Sequence, residues 1–180
     1  MRAWVSAPPA AATRLSMMML QSNPWASVII PIKDERENLS PLVASLFKVM
    51  DSHERSQSQP YEIIFVDDGS SDGSSEALDR LATEHSQVRV FHFDRNYGKT
   101  CALEAGFGQS RGEIIIQIDG DLQQDSEDIL KLLPFTATHD LVCGWRQQRQ
   151  DGFVKKMSSL IANRFRNYFT HDGVHDTGCP

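Results

Sequence analysis

Two acidic pairs have the residue types and spacing to do chemistry: Asp67-Asp68 and Asp119-Gly120-Asp121. Each follows a continuous apolar run, Tyr61–Val66 in one case and Glu113–Ile118 in the other. A single aspartate pair in a turn is ordinarily structural, because Asp caps helices and accepts turn hydrogen bonds. Two pairs at the same ends of two strands share a rim, and that convergence points to function. A glycine between Asp119 and Asp121 lets the backbone turn closely around a divalent ion. Hard oxygen ligands select Mg²⁺ or Mn²⁺, and Mg²⁺ is commonly held by one or two carboxylates plus substrate phosphates.

The elements that must position these acids alternate along the chain. Ser27–Pro31, Tyr61–Val66, Val88–Phe93, Glu113–Ile118 and Leu141–Cys143 read as five strands. Helical patterns lie between them. One is opened by Ser40 as N-cap with Pro41 at the first helical position. Others centre on Ala77–Ala82, on Thr100–Phe107 after Gly98, and on Glu127–Leu133. A last helix, Phe153–Phe169, carries Phe153, Met157, Leu160, Ile161, Phe165 and Tyr168 on one stripe. Strands this apolar, alternating with helices, predict a mostly parallel, doubly wound α/β sheet covered on both faces. Ligands of such sheets bind beyond the carboxyl ends of the strands, which is where the acids fall.

Composition narrows the function classes. The 180 residues hold 18 basic and 24 acidic side chains, a net charge of −6, against the basic field of a nucleic-acid binder. Three scattered cysteines, Cys101, Cys143 and Cys179, fit neither a disulfide framework nor a zinc site and suggest a reducing compartment. No apolar run approaches the roughly 18 residues of a membrane span. Residues 1–24 are rich in Ala, Ser and Pro without sustained periodicity and read as a disordered extension ahead of one catalytic domain over 25–180.

Four segments occur in a telling order: Val28–Asn38, Ile64–Gly73, Arg95–Lys99 and Ile118–Gln123. Any one of them is a weak signal. In this order, from about Ser27 to Pro180, they resemble the GT-A glycosyltransferases of family 2, with the dolichyl- and undecaprenyl-phosphate sugar transferases nearest in pattern. The resemblance implies a GT-A fold that binds a nucleotide-diphosphate sugar (UDP or GDP). It places Pro31 and Glu35 near the nucleotide, although Lys33-Asp34 stand where the family usually has Tyr-Asn. Asp68, with Asp67 beside it, matches the acid that binds base and ribose, and Lys99 falls with the donor-binding residues. Asp119 and Asp121 match the metal-binding pair, completed by Gln123. Gly144-Trp145-Arg146 resembles the family's Gly-x-Arg, whose arginine meets phosphate, and Arg149 lies beside it. Asp176 falls in the acceptor-side segment. Members of the family continue beyond this point, so the resemblance implies a C-terminally incomplete catalytic domain whose missing part contacts the membrane surface from the cytoplasmic side.

The implied activity is inverting, metal-dependent transfer of a hexose to a polyprenyl phosphate. Its chemistry agrees with the residues. Cleavage develops negative charge on the departing diphosphate, which a metal and cations such as Arg146 stabilise most in the transition state. An acceptor that is already a phosphate is an anionic nucleophile and needs little general-base help. The alternatives are a family 2 enzyme with a saccharide acceptor, an inactive nucleotide-binding fragment, and a receiver-type signalling domain. The last needs its acid pair after the first strand, where this chain has Pro31.

Other features read as decoys. Gly98-Lys99-Thr100 ends like a phosphate-binding loop, but Phe93 occupies the required upstream glycine position. His171 and His175 flank Gly173, which argues against a zinc-binding helix, and Cys101 reads as a core residue. Lys155, Lys156 and Arg166 read as a solvated helix face.

Overall fold

A computed structural model of the chain describes residues 23–144. Four strands, β1 (Ala26–Ile32), β2 (Glu62–Asp67), β3 (Val88–His92) and β4 (Ile114–Gln117), form one parallel sheet in the order β3-β2-β1-β4. Between them run α1 (Arg36–Ser52), α2 (Ser74–Glu84) and α3 (Lys99–Gln109). A short α4 (Asp128–Leu132) and a 3₁₀ turn (Leu133–Ala137) follow β4.

The two central strands are buried almost throughout, which explains their unbroken apolar runs. Alternation divides their side chains between two layers. Val28, Ile30 and Ile32 of β1 and Ile63 and Phe65 of β2 join Leu39, Leu42, Leu46 and Leu78 from α1 and α2 in the main core. Ile64 and Val66 point the other way, onto Ala102 of α3. Gly106 lets α3 press against β1, since a Cβ there would collide with Ile29. Strand order and layers explain each other. The chain steps outward from β1 to β3, then reverses past β1 to β4. With right-handed crossovers, that reversal puts α3 on the face opposite α1 and α2. The reversal also opens a crevice between the carboxyl ends of β1 and β4.

Pro31 fits a central strand because of where its missing N–H faces. Ile29, two residues earlier and on the same side, takes Ile118 N–H at 3.2 Å as the β4 ladder ends. Pro31 therefore lacks a donor only where there is no strand left to accept it.

Three expectations are corrected. The first helix begins at Arg36, so Pro41 lies inside it. Its amino end is fixed from outside, by Glu35 N–H on Ser74 Oγ (3.1 Å) and Arg36 N–H on Asp72 Oδ2 (3.0 Å). These bonds hold helical turns ahead of the proline. Leu141–Cys143 forms no strand, and Leu141 is 80% exposed. Three residues offer too few ladder bonds to offset their ordering. Cys101 is exposed, because Ala102 and Gly106 take the sheet-facing side of α3. The stripe Phe153–Phe169, with Lys155, Lys156 and Arg166, lies outside the described residues, as do His171 and His175.

Candidate functional site

The crevice at the switch point is a polar cleft lined by Pro31, Ile32, Lys33, Glu35, Asp68, Lys99, Asp119, Gly120 and Asp121. Six of the residues singled out in the sequence thus meet in one place: Pro31, Glu35, Asp68, Lys99, Asp119 and Asp121. They come from four segments far apart in the chain, each leaving the carboxyl end of a strand or entering a helix.

The neighbouring aspartates after β2 do different work. Asp68, almost fully buried, accepts Tyr97 N–H at 2.6 Å and Gly98 N–H at 2.9 Å, one on each carboxylate oxygen. It thereby holds the turn that opens α3 and still faces the cleft. Asp67 is not among the lining residues. Its 1%-exposed carboxylate accepts Ser70 N–H (2.9 Å) and Ser75 Oγ–H (2.5 Å), and pairs with His92 Nδ1 at 2.8 Å. Burial pushes the Asp67 carboxyl up, but the hydrogen bonds from Ser70, Ser75 and His92 outweigh it and hold it below its ordinary value. His92, also bonded to Asp79 at 3.2 Å, is held above its ordinary value for the converse reason: burial opposes its charge, and the two carboxylates prevail.

The loops after β1 and β2 are stitched together. Lys33 donates to Gly69 O at 2.7 Å and pairs with Asp34 at 3.0 Å. Asp34 accepts Ser71 N–H at 2.7 Å and donates its own N–H to Ser70 Oγ at 3.0 Å. Asp34 and Leu122 are the non-glycine residues with positive φ (55° and 59°) among those described, and each is next in the chain to a residue that lines the cleft. Strained backbone of this kind clusters where a loop is held for a ligand. Gly69, at φ 67°, has no room for a side chain: a Cβ would stand 2.5 Å from the Arg95 carbonyl carbon.

Beyond β4, Asp119 meets Lys99 Nζ through Oδ1 at 2.5 Å. Gln124 clamps it from behind, accepting its N–H at 2.9 Å and approaching Oδ2 at 3.5 Å. Asp121 Oδ1 accepts the N–H of Gln123 at 3.1 Å, and Gln123 itself does not line the cleft. Gly120 packs the loop on β1, since a Cβ would collide with Ile32 Cδ1. Among the described residues, no group of three or more His, Cys, Asp and Glu side chains is placed to hold a metal alone. Two carboxylates at the mouth of a polar cleft do fit an ion that takes its remaining ligands from substrate phosphates.

Sequence reasoning missed Gln124, His92 and the Asp72–Ser74 turn. Gln124 left a faint signal, a second amide beside Gln123; the others left none, because their partners are distant in sequence. Arg146, Arg149 and Asp176 lie outside the described residues.

A parallel sheet that collects acids, a lysine and glycine turns at its switch point is compatible with the GT-A glycosyltransferase fold. Solved structures agree on that fold. Mannosyltransferase PcManGT from Pyrobaculum calidifontis, in complex with GDP-Man and Mn²⁺, aligns with a TM-score of 0.51 at 22% identity, over 65% of this chain and 36% of its own. TarS from S. aureus aligns at 0.52 and 22% identity, over 64% of this chain and 33% of its own. The chain belongs to glycosyl transferase family 2, whose pattern matches residues 27–178. Among curated relatives, dodecaprenyl-phosphate galacturonate synthase of Rhizobium johnstonii is 36% identical over 157 residues, covering 85% of this chain and 45% of the relative. The undecaprenyl-phosphate 4-deoxy-4-formamido-L-arabinose transferase of Yersinia enterocolitica is 37% identical over 158 residues, covering 85% and 46%. The chain spans about half the length of the curated relatives it matches. No helix among the described residues is long and apolar enough to cross a membrane.

Proposed function

We propose that the chain is the donor-binding part of an inverting glycosyltransferase that moves a sugar from a UDP- or GDP-sugar to a polyprenyl phosphate at a membrane surface. The observation that carries this reading is the meeting of Asp68, Lys99, Asp119 and Asp121 in one switch-point cleft. The names of the relatives support the lipid-phosphate acceptor. In this reading 25–180 is part of one catalytic domain.

Asp68 receives the nucleoside, since a carboxylate at a strand end can accept an N–H or a ribose hydroxyl. Glu35 and Pro31 line the same cleft. Asp119 and Asp121, with Gln123, would hold Mg²⁺ or Mn²⁺, whose chemistry is to neutralise charge developing on the departing diphosphate. Lys99 adds a positive charge within the same cleft, worth most as the sugar–phosphate bond breaks. We assign Arg146 and Arg149 to phosphate and Asp176 to orienting the acceptor. The acceptor phosphate oxygen attacks the anomeric carbon from the face opposite the diphosphate, which inverts the configuration.

Calorimetry tests the donor half. UDP or GDP should bind more tightly with Mn²⁺ than with EDTA, and Asp121→Asn should erase the difference while circular dichroism stays unchanged. Equal affinity with and without metal in the wild type would remove the acidic pair from the site. Transfer by the full-length gene product to free saccharides, and not to undecaprenyl phosphate, would overturn the acceptor.

A further inference from the structure

We propose that Lys99 locks the metal-binding pair, and that the diphosphate of an incoming nucleotide opens the lock. The proposal rests on Asp119 and Asp121 as the ion-holding residues.

The carboxylates are already engaged. Asp119 Oδ1 carries the Lys99 ammonium at 2.5 Å, Oδ2 lies 3.5 Å from Gln124 Nε2, and Asp121 Oδ1 takes the Gln123 N–H. The Asp119 side chain is 20% exposed and its lysine partner 53%, so the lysine is the member free to move. A divalent ion sits about 2.1 Å from a carboxylate oxygen. An ammonium on that same oxygen would stand within a few ångströms of two positive charges, and like charges so close repel strongly even in partly solvated surroundings. Ion and ammonium therefore exclude each other at Asp119.

A diphosphate resolves the conflict. Lys99 is the first residue of α3, after Gly98 with φ 94°, and this helix end opens on the cleft. The ammonium, on its flexible four-carbon stem, can leave Asp119 for a phosphate oxygen without leaving the cleft. That transfer frees Oδ1 and brings phosphate oxygens alongside it. Metal alone then binds poorly, and nucleotide and metal couple more strongly than shared ligation alone requires. Lys99 acts as a positioning residue that sets the order of assembly.

The test measures Mn²⁺ binding to the 180-residue chain by electron paramagnetic resonance, without nucleotide and then with UDP or GDP. Lys99→Met should tighten Mn²⁺ alone by roughly tenfold, the scale of one removed nearby charge. It should shrink the coupling to nucleotide by a similar factor. Lys99→Arg keeps a cation on Asp119 and should behave as wild type. Lys48→Met removes an exposed charge outside the cleft, paired with Glu127, and should leave Mn²⁺ alone little changed. Equal tightening by Lys48→Met and Lys99→Met would reveal general charge loss and overturn the lock. Unchanged Mn²⁺ affinity in Lys99→Met, with nucleotide-dependent Mn²⁺ binding intact, would overturn the lock and leave the proposed function standing. No Mn²⁺ binding by any of these proteins with either nucleotide would overturn both.

Discussion

Asp68 spends one lone pair of each carboxylate oxygen on its own fold, at Tyr97 and Gly98, and presents the rest to the cleft. Its removal therefore acts twice. Asp68→Ala should lower stability by about 1–3 kcal/mol, the scale for stranding hydrogen-bonded groups in a buried turn, read from urea denaturation. It should also weaken UDP or GDP binding by about 1–3 kcal/mol, the scale for a lost hydrogen bond to a charged group, read by calorimetry. A stability loss with both affinities unchanged would leave Asp68 as a brace of the turn alone. This double duty was not legible in the sequence: the resemblance singles out Asp68, but residue type alone does not tell it from Asp67. Strand alternation turns one into the loop beneath Ser70, Ser75 and His92 and the other toward the cleft. Only the three-dimensional path of the chain near Tyr97 decides which acid remains for a ligand. The place of Asp119 and Asp121 in the cleft was legible, because acids just past the carboxyl end of a parallel strand fall on the rim where ligands of such sheets bind.

Among the elements, four of the five expected strands and their parallel direction came through in the apolar runs, most plainly β1 and β2, which are buried on both faces, while Leu141–Cys143 formed no strand. Helix starts came through less well. Pro41 invites a start at Ser40, but the bonds that begin α1 run to Asp72 and Ser74, more than thirty residues away. The proline is thus carried inside an established helix on its exposed side, where the Glu37 carbonyl loses its usual donor. Proline inside a helix costs up to about 3 kcal/mol relative to alanine, less near the first turns. Pro41→Ala should accordingly raise stability by about 1–2 kcal/mol, seen as a higher urea midpoint with an unchanged slope. A lower midpoint would mean that the ring's rigidity in the unfolded chain outweighs the missing bond.

Across the whole molecule, two charge networks brace opposite ends of the sheet, and they titrate in opposite senses. At the amino end, buried Glu62 accepts Ser27 Oγ–H (2.7 Å), Arg89 Nη1–H (2.8 Å) and Arg111 Nη2–H (2.8 Å). Burial pushes its carboxyl up, but the bonds from Arg111, Ser27 and Arg89 hold it down at about 2. At the carboxyl end, Asp67 and Asp79 hold His92 above its ordinary value. A carboxylate lowered on folding stabilises the fold above its unfolded pKa and loses that contribution as pH falls toward the folded one. From 4.5 to about 2, Glu62 contributes about 3 kcal/mol at neutral pH, lost through that acid window. A histidine raised on folding does the reverse: its contribution is full below 6.5 and fades as pH climbs through the raised value. Stability should therefore peak on the weakly acidic side of neutrality and fall on both flanks. Urea midpoints measured from about pH 3 to about pH 9 should trace this dome. Glu62→Gln should flatten the acid limb and lower the plateau, because it strands Arg89 and Arg111 against a neutral partner. His92→Gln should flatten the limb above about pH 6.5 and disturb the acid limb only through the hydrogen bond it removes from Asp67. An alkaline limb that survives His92→Gln would place the titrating group elsewhere, and an acid limb that survives Glu62→Gln would assign it to the other lowered carboxyls, Asp67 first, with Asp34, Asp72 and Glu127.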